Sequence, residues 1–263
     1  MQKIFNRTTL QGHRDKAAIK IEKSDFLFKY SLDNILDRIH IYKDSYDKVL
    51  NIGSRVFDFR QSSRKKIKID FLVSTDLSFK MLKKFSGSRV QADEEFLPFL
   101  NESFDLVLSN LNLHSVNDLP GSLAQIQRSL KKDGLFVSSF VGENSLKELK
   151  EVFVKSEIDV GKNVHFHVSP TISSDTLSSL MVRAKFNDVV VDKDTVSIIY
   201  KTPQEILSDL QNSGESNCMS GGKVRYLRKD VLEKFSENYY KMFPSEDGGI
   251  TCTFDIITCV GHK

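Results

Sequence analysis

The 263-residue chain has no tryptophan, three cysteines and five prolines, and each scarcity excludes something. Cys218, Cys252 and Cys259 are odd in number, widely separated and free of any C-x-x-C pair. That argues against a disulfide framework and a cysteine zinc site, and fits a reducing compartment. The prolines are scattered, and no repeat or low-complexity stretch marks a linker. No run approaches the roughly 18 apolar residues of a membrane-spanning helix. Met1 to Arg7 hold no signal-peptide core, so the expectation is a cytoplasmic protein with no integral membrane segment. Charge of one sign is also lacking: 38 basic against 35 acidic residues leave +3, too close to balance to advertise a nucleic acid or an anionic membrane. The densest basic run, Arg64-Lys65-Lys66 with Lys68, reads as a solvated loop ahead of a strand.

Three motifs are missing as well. Without G-x-S-x-G, G-x-x-x-x-G-K-[ST] or G-x-G-x-x-G, the sequence argues against serine hydrolases, P-loop nucleoside triphosphatases and dinucleotide oxidoreductases.

What is present is an ordinary globular composition, 40% hydrophobic and 28% charged, enough to bury one α/β core. Helical spacing from about Arg14 to Tyr42 predicts helices over one edge of that core. Short apolar runs at Val49–Ile52, Ile67–Val73, Phe104–Leu111 and Leu135–Val141 alternate with amphipathic stretches at Leu77–Phe85 and Ser122–Leu130, the pattern of parallel strands joined by crossover helices. Further helices are expected at Asn144–Lys155, Asp175–Ala184, Pro203–Gln211 and Lys229–Phe243, with strands at Val189–Tyr200 and Ile250–Val260. The last run, ending the chain, predicts an antiparallel edge strand on a mostly parallel sheet.

Ligands of such sheets bind at the carboxyl ends of the strands. Four polar positions stand there. Gly53 ends the first run, as a turn or as a close approach to a ligand. Asp76 follows the second at about the distance where a carboxylate accepts both ribose hydroxyls, or else caps a helix. Asp93 and Glu94 precede Phe96-Leu97-Pro98-Phe99, as an adenine contact or a surface charge cluster. Asn110 opens a polar loop through His114, Asn117 and Asp118. His114 could serve as a general base or as scaffold, and Asn117 and Asp118 suit substrate contact or turn capping equally. His165 and His167 alternate around Phe166, but no third ligand stands nearby, so no metal is expected.

The blocks Ala92–Phe99, Phe104–Val107, Leu113–Pro120, Ala124–Phe136, Arg183–Asn187, Asp209–Gln211, Gly214–Asn217, Glu246–Gly248 and Gly261–Lys263 together resemble one branch of the class I S-adenosylmethionine-dependent methyltransferases. That branch includes a protein-arginine hydroxylase that assembles respiratory complex I, and it is related to the malonyl-carrier-protein methyltransferases of biotin synthesis. The resemblance implies a Rossmann-like, mostly parallel seven-stranded sheet flanked by helices. It implies a helical cap over residues 1–46 and a core over 47–263 with insertions at about 143–187 and 202–249. It also implies a site for S-adenosyl-L-methionine made of Asn51, Gly53, Ser54, Asp76, Leu77, Asp93, Glu94 and Asn110, with His114, Asn117 and Asp118 on the substrate side.

Two departures bear on activity. Arg55 and Phe57 stand where the family's loop carries glycines, and Ser115 stands where relatives place tryptophan. Three functions follow as expectations. One is a methyltransferase, with a malonyl carrier protein as the concrete acceptor. The second is an arginine hydroxylase acting on a complex I subunit, for which no facial triad of two histidines and a carboxylate is evident. The third is a binding protein that keeps the fold without the chemistry.

Overall fold

The computed structural model describes residues 3–55, 67–85, 87–221 and 227–263. Phe57 and the Arg64-Lys65-Lys66 run lie outside the described residues.

The chain opens with α1 (Arg7–Ala17), which Asn6 caps by accepting the Thr9 N–H at 2.9 Å. It is followed by α2 (Phe26–Tyr42). Strands β1 (Ser45–Ile52), β2 (Lys68–Asp76), β3 (Ser88–Gln91), β4 (Phe104–Ser109) and β5 (Leu130–Val141) come next. Between them stand α3 (Phe79–Leu82) and α4 (Leu119–Ser129). Then follow α5 (Lys147–Asp159), α6 (Ser174–Arg183), β6 (Asn187–Tyr200), α7 (Pro203–Ser213), α8 (Lys229–Met242) and β7 (Ile250–His262).

The strands form one seven-stranded sheet in the order β3-β2-β1-β4-β5-β7-β6. β1 to β5 pair in parallel and β7 runs antiparallel to both neighbours. Helices cover both faces. Leu32, Ile35, Leu36 and Ile39 of α2 pack on Val49, Leu106, Leu108 and Val137. On the other face Leu123 and Ile126 of α4, with Leu177 and Met181 of α6, pack on Leu50, Val107 and Phe136. Along β4, Leu106 and Leu108 serve one layer while Phe104 and Val107 serve the other, so the apolar run is continuous because both faces are buried. A further core joins α5, α7 and α8 to the start of β7 through Phe153, Ile206, Phe235, Tyr239 and Cys252.

The structure corrects one expectation. The chain-terminal strand is antiparallel, but it is interior, inserted between β5 and β6. Its residues are buried from Cys252 to Gly261, whereas β6, with Ile199 54% exposed, is the edge. Partial alternation in Thr251–Thr258 suggested one solvated face, yet Asp255 and Thr253 are satisfied inside: Ser145 and Thr195 hydroxyls donate to the Asp255 carbonyl and carboxylate at 3.0 and 2.8 Å, and Thr253 Oγ1 donates to Glu148 Oε1 at 2.5 Å. The sequence reading also missed β3, four residues long and only partly buried.

Ile257 is fully buried and Ile199 is not, so Ile257→Ala should lower the unfolding free energy by about 2–5 kcal/mol. Ile199→Ala should change it by less than about 1 kcal/mol. Urea denaturation of both variants checks the strand order, and equal effects would contradict an interior β7.

Candidate active site

Strand register assembles the site. Ile52 lies beside Thr75 of β2 and Ser109 of β4, so the residues that follow, Gly53, Asp76 and Asn110, leave the sheet side by side at its carboxyl edge. Strand order reverses at β1, where ligands of open α/β sheets bind.

Gly53 has φ +73°, and a Cβ there would stand 2.0 Å from Asn112 Cγ. Glycine is therefore required both for the turn and for the close packing. The Gly53 and Ser54 N–H groups both donate to the Thr75 carbonyl, at 2.8 and 2.9 Å. Ser54 Oγ donates to the carbonyl of the buried Asn51 at 3.2 Å. Asp76, fully buried at the end of β2, accepts the Ser78 N–H at 2.7 Å through Oδ1, while Oδ2 accepts no hydrogen bond from the described residues. Leu77 packs beside Phe5, Leu10 and Cys218.

Helix α1 closes over these carboxylates. Arg7 and Arg14 are seven residues apart, two helical turns, and so share a face. Arg14 is fully buried, its Nη1 2.9 Å from Glu94 Oε1 and 3.6 Å from Asp76 Oδ1. Arg7 Nη2 donates to Asp93 Oδ1 at 2.7 Å and also pairs with Glu94, and its Nη1 donates to the Ser115 carbonyl at 3.0 Å. Asn112 Nδ2 donates to Glu94 Oε1 at 2.8 Å. Burial opposes charge on Glu94, but the Arg14 and Arg7 guanidiniums and the Asn112 amide outweigh it and hold its pKa at about 2. For Asp76 burial prevails over Arg14, and its pKa is raised.

Arg55 turns inward. Its side chain is buried, paired with Glu215 from the turn after α7, with Nη2 3.4 Å from Asn112 Oδ1 and the guanidinium 5.4 Å from the Phe28 ring centroid. Glu215 also takes His114, whose Nε2 lies 3.0 Å from Oε2. Burial first, then the charges of Arg55 and Arg14, push the His114 pKa down to about 3. The imidazole is thus neutral at pH 7, with Nε2–H donating to Glu215, and it is a weak proton acceptor.

Other expected site residues are occupied by the scaffold. Asn110 Nδ2 donates to the Phe28 carbonyl at 2.9 Å, and Oδ1 accepts from Ser139 Oγ at 3.0 Å. Asn117 pins the start of the chain, accepting the Phe5 N–H at 2.8 Å and donating to Glu95 Oε1 at 3.0 Å. Asp118 is the exposed cap of α4, accepting the Gly121 N–H at 2.9 Å. His165 Nδ1 and His167 Nε2 both bond Glu157 Oε1, at 2.9 and 3.0 Å, away from this cluster. Among the described residues, no three His, Cys, Asp or Glu side chains are placed to hold a metal ion, and no helix is long and apolar enough to cross a membrane.

Sequence reasoning missed Arg7, Arg14, Asn112 and Glu215. The seven-residue spacing of the two arginines was the available signal. Nothing in local sequence ties Glu215 to His114, 101 residues away.

S-adenosylmethionine fits these residues. Asp76 Oδ2 is an open buried acceptor at the end of β2, suited to a ribose hydroxyl, and Asp93 and Glu94 lie one strand over. The carboxylates of Asp76, Asp93, Glu94, Glu95 and Glu215 outnumber the guanidiniums of Arg7, Arg14 and Arg55 paired with them, which favours a ligand carrying a sulfonium cation.

Two predictions follow from this geometry. Gly53→Ala should lower stability by about 1–2 kcal/mol through its left-handed φ alone, with a matching drop in urea midpoint. His114 has a pKa far below its unfolded value near 6.5, so the unfolded chain takes up a proton first. Its contribution is intact above about pH 6.5 and is lost as pH falls toward about 3. The loss of stability between pH 7 and pH 5 should shrink in His114→Gln, and an unchanged slope would contradict a buried neutral imidazole.

Residues 60–138 match the family model of a methyltransferase domain. The mitochondrial arginine-hydroxylase NDUFAF5 of Danio rerio is 33% identical over 267 residues, covering 99% of this chain and 83% of that protein. The malonyl-[acyl-carrier protein] O-methyltransferase of Gallionella capsiferriformans is 26% identical over 273 residues, covering 98% and 91%. Among solved structures, a SAM-dependent methyltransferase of Thermotoga maritima superposes with a TM-score of 0.53 at 18% identity, covering 97% of this chain and 99% of that one. The cofactor of this domain is S-adenosylmethionine. With the sheet order and the switch-point loop in place, the chain belongs to the NDUFAF5 arginine-hydroxylase family of class I S-adenosylmethionine-dependent methyltransferase-fold enzymes.

Proposed function

We propose that this enzyme holds S-adenosylmethionine between the Gly53 turn, Asp76 and Glu94 and modifies an arginine side chain of a partner protein, a respiratory complex I subunit. The observation that carries this reading is the way Asp93, Glu94 and Glu215 pair with guanidinium groups of the chain itself. Asp93 and Glu215 are partly exposed, and such carboxylates match the planar, cationic fork of arginine, which binds carboxylates in a two-pronged fashion.

When bound, the cofactor supplies an electrophilic methyl group on sulfur. The protein's part is alignment. Gly53 lets backbone approach the cofactor, Asp76 takes the ribose, and Glu94, held ionised by Arg14 and Arg7, fixes the floor against which both ligands sit. His114, neutral and braced by Glu215, orients rather than accepts a proton.

A malonyl carrier protein is the second reading. It would present a carboxylate, which the buried guanidiniums of Arg14 and Arg55 favour and the surrounding acids oppose.

Incubating the protein and S-adenosylmethionine with complex I subunits, in air with an added reductant so that oxygen insertion has both its oxidant and its electrons, and separately with malonyl-loaded carrier protein, then weighing the products by mass spectrometry, separates the readings. A modified arginine supports the proposal. A mass gain of one methylene there means methylation, and a gain of one oxygen means hydroxylation. A methyl ester on the carrier alone would overturn it. Asp76→Asn should bind S-adenosylhomocysteine at least about tenfold more weakly, since a hydrogen bond to a charged acceptor contributes roughly 1.5–3 kcal/mol.

A further inference from the structure

The small net charge of the whole chain, +3, hides a local concentration of lysine. Where α1 runs out, Lys16, Ile19, Lys20 and Lys23 are exposed, while Ala17, Ala18 and Ile21 between them are buried. Lys16 stands two residues past Arg14, about 200° round the helix, so the turn that aims Arg14 at Glu94 leaves the lysine on the outer side. Ile19 is 82% exposed at the turn that follows the helix.

Helix α3 repeats the arrangement. Met81 and Leu82 are buried, whereas Phe79, Lys80, Lys83 and Lys84 are exposed, with Lys83 Nζ 5.3 Å from the Phe79 ring centroid. Three contacts join the two helices into one surface. Met81 packs with Ala17, Ala18 and Ile21, Ser78 Oγ donates to Asp15, and Lys84 Nζ lies 2.8 Å from Glu22 Oε1. Residues 15–23 and 78–84 carry six lysines against two acids, Asp15 and Glu22, so more positive charge gathers here than the chain carries as a whole. A cation at a helix C-terminus complements the helix dipole, which accounts for Lys16. It accounts neither for the lysines on both sides of the α1–α3 seam nor for the two large apolar side chains left in water among them.

We propose that this face docks on a lipid bilayer whose surface carries anionic headgroups, with its lysines at headgroup level and Ile19 and Phe79 entering the acyl boundary. Two features favour lipid over an acidic protein. Lysine is a flexible point charge that suits a headgroup layer without fixed geometry, whereas arginine's planar fork suits carboxylates held in place. Lysines interleaved with exposed apolar side chains also form the pattern of interfacial binding, in which charge attraction and buried apolar area add. Because α1 carries this surface on one side and turns Arg14 onto Glu94 on the other, docking sets the carboxyl edge of the sheet beside the bilayer. The inference depends on neither the cofactor nor the acceptor reading.

The test is co-sedimentation of the full chain with vesicles of phosphatidylcholine alone and with vesicles of equal parts phosphatidylcholine and phosphatidylglycerol. The expected result is binding to the second kind only, weakened by added salt. Lys20→Glu/Lys80→Glu should weaken it at least about 30-fold, since each lysine near an anionic surface contributes a factor of about five. Lys229→Glu/Lys241→Glu, the same change of charge on α8, should leave it within about twofold, because charges beyond a Debye length are screened. Every substituted side chain is exposed, so the variants keep the fold, which circular dichroism checks. The chain has no tryptophan, so Phe79→Trp supplies a single fluorescent reporter whose emission should shift to the blue as vesicles bind. Absence of binding to the anionic vesicles, equal binding to both kinds, equal losses from the two lysine pairs, or a Phe79→Trp emission unmoved by binding would each overturn the assignment. Binding to polyglutamate without binding to vesicles would overturn it too, and would give the face to an acidic protein.

Discussion

The carboxylate of Glu94 is the point on which the site depends. It is buried and accepts from Arg14 and Asn112 through one oxygen and from Arg7 through the other. Those three partners come from α1 and from the loop after β4, so a single carboxylate ties the N-terminal helix, the Gly53 turn packed on Asn112, and the carboxyl edge of the sheet into one unit. Burying a carboxylate is unfavourable unless it is fully paired, and a pair broken by removing one partner costs more than the pair contributes when whole. The cluster is therefore better understood as fixing one arrangement than as a source of stability.

That arrangement explains why charged groups crowd the end of an otherwise apolar sheet. The parallel strands supply register, which sets Gly53, Asp76 and Asn110 level with one another. Helix α1 supplies cations that keep Glu94 ionised, and the turn after α7 supplies Glu215, which braces His114 and meets Arg55. Elements that are strangers in sequence converge on one cluster at the carboxyl edge of the sheet, in which carboxylates outnumber the guanidiniums paired with them.

Much of this architecture was legible in the sequence because a doubly wound fold writes itself locally. Runs such as Phe104–Ser109 are apolar throughout since both faces are covered, and Asp76 and Gly53 stand out because polar and glycine residues interrupt such runs only where strands end. The interior place of β7 was not legible. Asp255 looks solvent-facing until its partners on β6 and ahead of α5 are known, and Thr253 until its bond to Glu148 of α5 is. The site was half legible. Strand-end residues were found, but Asn117, Asp118 and Asn110 turned out to be engaged by backbone and scaffold groups. Arg14 and Glu215 act across long sequence separations that no local pattern encodes. The inward turn of Arg55 is set by Phe28, Asn112 and Glu215 together, a packing outcome rather than a motif.

The most direct test of a cofactor pocket built around Glu94 is hydrogen–deuterium exchange of the full chain with and without S-adenosylhomocysteine. Protection concentrated at the Gly53 turn, at Asp76–Leu77, at Asp93–Glu94 and along α1 is the predicted result. Unchanged exchange at those segments, or protection confined to a different part of the fold, would contradict it.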